Sequence, residues 1–155
     1  MPQLRRVLAA SAIALTASAC ARAATRTHFQ PVADAGVASD GCHTVIEREA
    51  LARSDVPVLD LLRYRVPGMK VSPTDDCPEV ILRGKSTFIT NSSAAVYVDG
   101  ERAANTCVLS MLSTFHVARV EVYPGGVTQR PGYRTNGGGL ILVFTKNGPD
   151  PDAQI

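Results

Sequence analysis

The sequence offers little for catalysis, metal binding or nucleic-acid recognition. Three histidines, His28, His43 and His116, are scattered without metal-ligand spacing, and the four cysteines include no C-x-x-C pair. A zinc or dithiol redox centre therefore has no ligand set. There is no G-x-S-x-G turn for a nucleophilic serine, and His116 has no partner that sequence spacing alone would place beside it. Gly84-Lys85-Ser86 spells the end of a phosphate-binding loop, but no glycine lies five residues before Gly84, which excludes that reading. Tryptophan is absent, aromatic residues make up 5% of the chain, and 16 Lys and Arg against 14 Asp and Glu leave a formal charge of only +2. Without a charge excess or basic residues interleaved with aromatics, the chain has no footprint for RNA, DNA or an anionic surface. No enzyme, cofactor or metal is expected. At 155 residues the chain has the length of one ordinary domain and a little more, too short for the repeated strands of a membrane pore.

Nor is there an apolar run of the roughly 20 residues that a membrane-spanning helix needs. The longest candidate, Val7 to Ala19, follows Arg5 and Arg6 and is interrupted only by small hydroxyl residues. This is the pattern of a secretory signal. Ala17, Ser18 and Ala19 then precede Cys20, an arrangement similar to the bacterial lipoprotein signal, in which the cysteine becomes the acylated first residue. Ala17 stands where that signal usually carries leucine. Cleavage after Ala19 or Ala23 by an ordinary signal peptidase is the alternative, and would leave a soluble periplasmic protein. Removing residues 1–19 also removes Arg5 and Arg6, so the mature chain has equal numbers of basic and acidic residues.

Export puts Cys42, Cys77 and Cys107 in an oxidising compartment, where disulfides persist. With Cys20 lipidated, one thiol is left over. Cys77 lies just before a predicted strand and Cys107 at the start of a predicted helix, so these two are expected to pair. Cys42 then stays free, or pairs with Cys77 instead.

Residues 20–43 are rich in Ala, Thr, Asp and Gly without an apolar period, and read as a tether. Thr44-Val45-Ile46-Glu47 fits either a capping box that opens a helix through Ala52 or a short strand before a helical turn. Ser54-Asp55 before Pro57 predicts the start of a short helix with Val58, Leu59, Leu61 and Leu62 on its buried face, stopped by Pro67-Gly68. Strands are predicted at Val80 to Leu82, at Ala95 to Val98 before the Asp99-Gly100 turn, at Val117 to Tyr123 and at Leu140 to Phe144. In the third of these, Arg119 and Glu121 should point outward. Asn105 or Thr106 can cap a helix with Val108, Leu109, Met111 and Leu112, and a glycine-rich loop runs from Pro124 to Gly139. The order predicts an α+β fold: a small mixed or antiparallel sheet of about four strands with short helices.

LDLLRYRVPGMKV, VILRG, VYVDG, VARVEVYPGG and NGGGLILVFTK follow one another in an order and spacing that resembles the plug domain of TonB-dependent outer-membrane receptors, over about Thr44 to Lys146. Gly84, Asp99-Gly100 and Gly138 are then fold residues, needed for turns and close backbone approach. Arg83 would bear on packing of the plug against a barrel wall, or form a salt bridge within the domain. In the receptors the plug precedes a large β-barrel and follows an energy-coupling segment. Here nine residues follow Lys146 and no coupling segment is evident in residues 21–43, so the expectation is a freestanding plug of residues 44–146 with a tail at 147–155.

The resulting expectation is a lipid-anchored binding or accessory module at the periplasmic face of the outer membrane, serving a TonB-dependent uptake system without transporting by itself. Its partner would be a β-barrel or another uptake protein. Ser86, Thr87, Asn91 and Ser92 in one polar loop, and Gln129, Arg130, Tyr133 and Arg134 in another, are the candidate ligand or partner contacts. The alternative is a structural or regulatory envelope lipoprotein that keeps the fold without a transport role.

Overall fold

The computed structural model describes residues 35–40, 43–74, 76–82, 93–124, 130–135 and 137–149. Its strands are β1 (Val37–Ser39), β2 (Thr44–Glu47), β3 (Lys70–Ser72), β4 (Glu79–Ile81), β5 (Ala95–Val98), β6 (Glu101–Arg102), β7 (Val117–Tyr123) and β8 (Leu140–Thr145). The helices are α1 (Arg48–Leu51), α2 (Val58–Arg65) and α3 (Cys107–Met111), with a 3-10 turn at Thr114–His116. Six strands form one sheet in the order β1-β2-β7-β8-β5-β6, and β3 and β4 form a separate hairpin. Among the described strands only β5 and β8 run parallel, so the sheet is mixed, as expected of an α+β fold with short helices.

The sheet holds more strands than the four that periodicity reveals. β1 and β6 are three and two residues long and mostly exposed, too short to show a period. β1 also falls inside the stretch expected to be a tether, so the folded unit begins by Val37. β4 leaves the main sheet and pairs with β3, which carries no apolar run of its own. The Thr44–Glu47 ambiguity resolves as a strand followed at once by the single turn of α1. Ser54 and Asp55 do not cap α2, whose N-cap is Pro57. Instead the Ser54 carbonyl accepts from the Thr114 hydroxyl and the Asp55 carboxylate from the Ser113 hydroxyl, fastening the segment that precedes β7.

One sheet face carries Ile46, Val96, Val120, Val122, Ile141 and Val143 and packs against Leu51, Val58, Leu62 and Leu109 of the three helices. Because side chains alternate along a strand, β8 sends Leu140, Leu142 and Phe144 to the opposite face, where they join Ala95 and Tyr97. A strand buried on both sides reads as a continuous apolar run, and Leu140 to Phe144 is one. The Asp99-Gly100 turn has φ of +51° and +89° and joins Val98 to Glu101 in a two-residue hairpin. Both central residues in the left-handed region make it a type I′ turn, which the aspartate and glycine tolerate. Asp99 also accepts bonds from the amide and hydroxyl of Thr145, each at 2.7 Å, tying the turn to β8. A disulfide joins Cys77 to Cys107 across 30 residues, with a Cα–Cα separation of 4.9 Å, so the segment that leads into β4 is held to the first residue of α3. On the chain-entropy account such a closure stabilises the fold by about 3–4 kcal/mol.

Candidate functional site

The polar residues that this fold gathers lie on the sheet face away from the helices. β7 has a register shift between Val117 and Arg119. Val117, Val120 and Val122 therefore all join the helix-side core, while Arg119, Glu121 and Tyr123 take the other face. The expectation that Glu121 points outward to solvent is corrected here: its side chain is only 1% exposed. It does leave the helix-side core, as alternation requires, but residues 130–135 fold over that face and remove it from water.

A carboxylate taken from water needs compensating charge and hydrogen bonds. Arg119 Nε lies 3.0 Å from Glu121 Oε1 and 3.6 Å from Glu47 Oε1, and Arg130 Nε lies 3.6 Å from Glu121 Oε2. The Tyr123 hydroxyl donates to Glu121 Oε2 at 2.8 Å. Burial, followed by that hydrogen bond and the carboxylate's charge, pushes the Tyr123 phenol well above its ordinary range. Tyr133 is also raised, chiefly by burial. The ring of Tyr123 stacks on His43 with centroids 5.5 Å apart, and His43 Nδ1 lies 3.0 Å from Asp40.

Aromatic contacts fasten the 130–135 strap further along. Tyr133 meets Tyr97 edge-on at 5.0 Å, and the Tyr97 hydroxyl both donates to the Arg134 carbonyl and accepts from the Arg134 amide, each at 3.1 Å. Such an arrangement is suited to holding a chain segment. The Glu121 carboxylate is occupied by two guanidiniums and a phenol of the protein itself.

Of the expected contact residues, Arg130 and Tyr133 are thus turned inward onto the sheet, whereas Arg134 is exposed and engages Tyr97 only through its backbone. Ser86, Thr87, Asn91, Ser92 and Gln129 lie outside the described residues, as do Cys20, Cys42, Arg83 and Gly84. Gly138 is buried where the chain enters β8, beside Gly137 and Gly139 with φ of +89° and +98°. The Gly139 carbonyl receives the Ala95 amide at 3.0 Å, the close backbone approach expected there. Sequence reasoning missed Tyr97, Glu121 and Tyr123. The available signal was complementarity: Arg, Glu and Tyr alternate on β7 just before a loop that brings Arg and Tyr back.

His116 packs edge-on against Phe115. Among the described residues no group of three His, Cys, Asp or Glu is placed to hold a metal ion, and no helix is long and apolar enough to cross a membrane.

Residues 38–139 match the TonB-dependent receptor plug domain. The chain belongs to this family. Plug domains are components of transport receptors, not enzymes. Solved structures agree on the fold. A variant of the ferric enterobactin receptor PfeA from Pseudomonas aeruginosa superposes with a TM-score of 0.51 at 17% identity, over 68% of this chain and 17% of the receptor. The siderophore receptor PirA from Acinetobacter baumannii gives 0.50 at 17% identity, over 70% of this chain and 18% of the receptor. The plug chain thus spans less than a fifth of the length of these relatives. Among curated sequences none matches it.

Proposed function

We propose that this plug works at the periplasmic face of the outer membrane as a lipid-anchored accessory module of a TonB-dependent uptake system, with a β-barrel protein as its partner. The observation that carries the reading is the plug-domain match over most of the folded unit. The basic, apolar and small-residue pattern that ends at Cys20 supports export and acylation. In this reading residues 20–34 are the tether, and Ser86, Thr87, Asn91, Ser92, Gln129 and the exposed Arg134 face the partner. Arg130 and Tyr133 hold the strap that carries Arg134. The module binds and regulates, and the barrel conducts.

The test is affinity capture of the full chain from detergent-solubilised envelopes, with identification of co-purifying proteins. Recovery of a β-barrel uptake receptor is expected, and Cys20→Ser should move the protein from the membrane to the soluble fraction. Repeated capture without any barrel, together with unchanged nutrient uptake and altered envelope integrity after deletion, would favour the structural envelope lipoprotein instead. Intact mass of the membrane-bound protein decides the anchor: a chain that begins at Ala24 without acyl mass removes it.

A further inference from the structure

The β3–β4 hairpin and the segment between β5 and α3 border an open cavity of about 440 Å³. The volume lies within the usual range of small-molecule sites. Ala94 to Val96 and Ala103-Ala104 supply an apolar lining of small side chains. Much of the polar lining is committed to the fold. The Thr74 hydroxyl donates to the Cys77 carbonyl and the Thr106 hydroxyl to the Pro78 carbonyl, while Asn105 Oδ1 accepts from the Cys107 amide at 3.1 Å. With the Cys77–Cys107 disulfide in the same wall, these bonds hold the lining in place.

Two charged groups in that lining are left over. The half-buried Glu79 and the exposed Arg102 both line the cavity, yet neither side chain has an ion pair or hydrogen bond among the described residues. The charged side chains of the Glu121 network, by contrast, are engaged with one another. A carboxylate and a guanidinium of one preformed cavity, both unspent, complement a molecule that carries an ammonium and a carboxylate of its own. Charge-assisted hydrogen bonds would form at each end, the guanidinium offering its planar fork to the carboxylate.

We propose that this cavity binds a small zwitterion of the class of free-ended di- or tripeptides, with the amine at Glu79, the carboxylate at Arg102 and small side chains against the alanines. The proposal rests on the lining of this cavity and does not depend on the uptake reading. Its failure would leave the affinity capture untouched, and the reverse also holds.

Isothermal titration of the full chain in detergent with trialanine tests the proposal directly. Saturable binding with Kd below about 1 mM is expected. N-acetyl-trialanine amide, which has neither terminal charge, should bind at least about tenfold more weakly, since each charge-assisted bond is worth a comparable factor. Glu79→Gln should weaken trialanine but leave N-acetyl-trialanine unaffected, and Arg102→Gln should weaken trialanine but leave trialanine amide unaffected. Glu79 is half-buried and Arg102 exposed, and circular dichroism confirms that the variants fold. No binding up to about 10 mM, equal binding of the blocked peptide, or indifference to both substitutions would overturn the assignment.

Discussion

On the helix side of the sheet, Val96, Val120, Ile141 and Val143 meet Leu51, Leu62 and Leu109, and the interface is apolar throughout. On the opposite side, Leu140, Leu142 and Phe144 are buried just as fully, but their cover includes Tyr97, Tyr133 and a carboxylate held between two arginines. The first face is closed by three short helices whose apolar stripes leave them nowhere else to go. The second is closed by a strap that lies down through specific polar contacts. Apolar burial is non-directional, so it gives stability without fixing which segment does the covering. Hydrogen bonds and ion pairs cost desolvation but select one partner and one register. The difference implies that the helix face is the domain's foundation, and that the strap face owes its closure to a polar latch.

If the strap face is a true second core, truncating its largest residue should hurt as much as truncating the first. Phe144 is 1% exposed. Phe144→Ala should cost about 3–5 kcal/mol in urea unfolding, and Leu62→Ala on the helix side a similar about 2–5 kcal/mol. A cost near 1 kcal/mol for Phe144→Ala, against about 3 for Leu62→Ala, would break the comparison by making the strap face a loosely covered surface.

The latch itself is the next target. Glu121→Gln keeps the shape and removes the charge that Arg119 and Arg130 surround. Leaving two guanidiniums without their shared anion should cost about 2–4 kcal/mol, less than in a fully dry site because both arginines keep some contact with water. Replacing Glu121 by Leu together with Arg119→Met and Arg130→Met should recover most of that loss. Proteolysis within the strap then separates stability from closure: the triple variant should be stable yet cut faster between residues 130 and 135. Protection equal to the natural chain would show that apolar cover alone seats the strap.

The two faces also differed in how far the sequence disclosed them. Val58, Leu59, Leu61 and Leu62 announce a helix and its buried side, and Leu140 to Phe144 announces a strand buried on both sides. Asp99-Gly100 specifies its own turn chemistry, and the cysteine pair at 77 and 107 follows from where the elements begin. Glu121 was misread because alternation identifies the face a side chain takes, not what lies above that face. Its cover comes from a glycine-rich loop with no period of its own, whose path depends on tertiary contacts such as Tyr133 with Tyr97. The short edge strands β1 and β6 escaped for the same reason: pairing with a long neighbour, not their own pattern, makes them strands. The Glu79 and Arg102 pair is further still from the sequence, since the two residues meet at one cavity only once the hairpin is docked.

The smallest expected effect is also the most selective for the strap face, and it appears at alkaline pH. Tyr123 is held protonated in the folded state by burial and by donation to Glu121, so its folded pKa lies above the unfolded value of 10.0. Below pH 10 both states keep the proton and the stabilisation is complete. As pH rises past 10 the unfolded chain releases a proton that the folded chain retains, and unfolding becomes easier with each further step. Tyr133, raised in the same direction, adds to this slope. Tyr123→Phe should therefore be slightly less stable at pH 8, by about 1 kcal/mol for the lost hydrogen bond, and should lose stability more slowly than the natural chain between pH 10 and 12. Tyr64→Phe, which removes a phenol that is 88% exposed on α2, away from the strap face, is the control substitution. Urea midpoints at intervals across that range measure all three proteins. If Tyr123→Phe retains the full slope, the phenol is not what the strap face protects, and the latch reduces to its two arginines and Glu121.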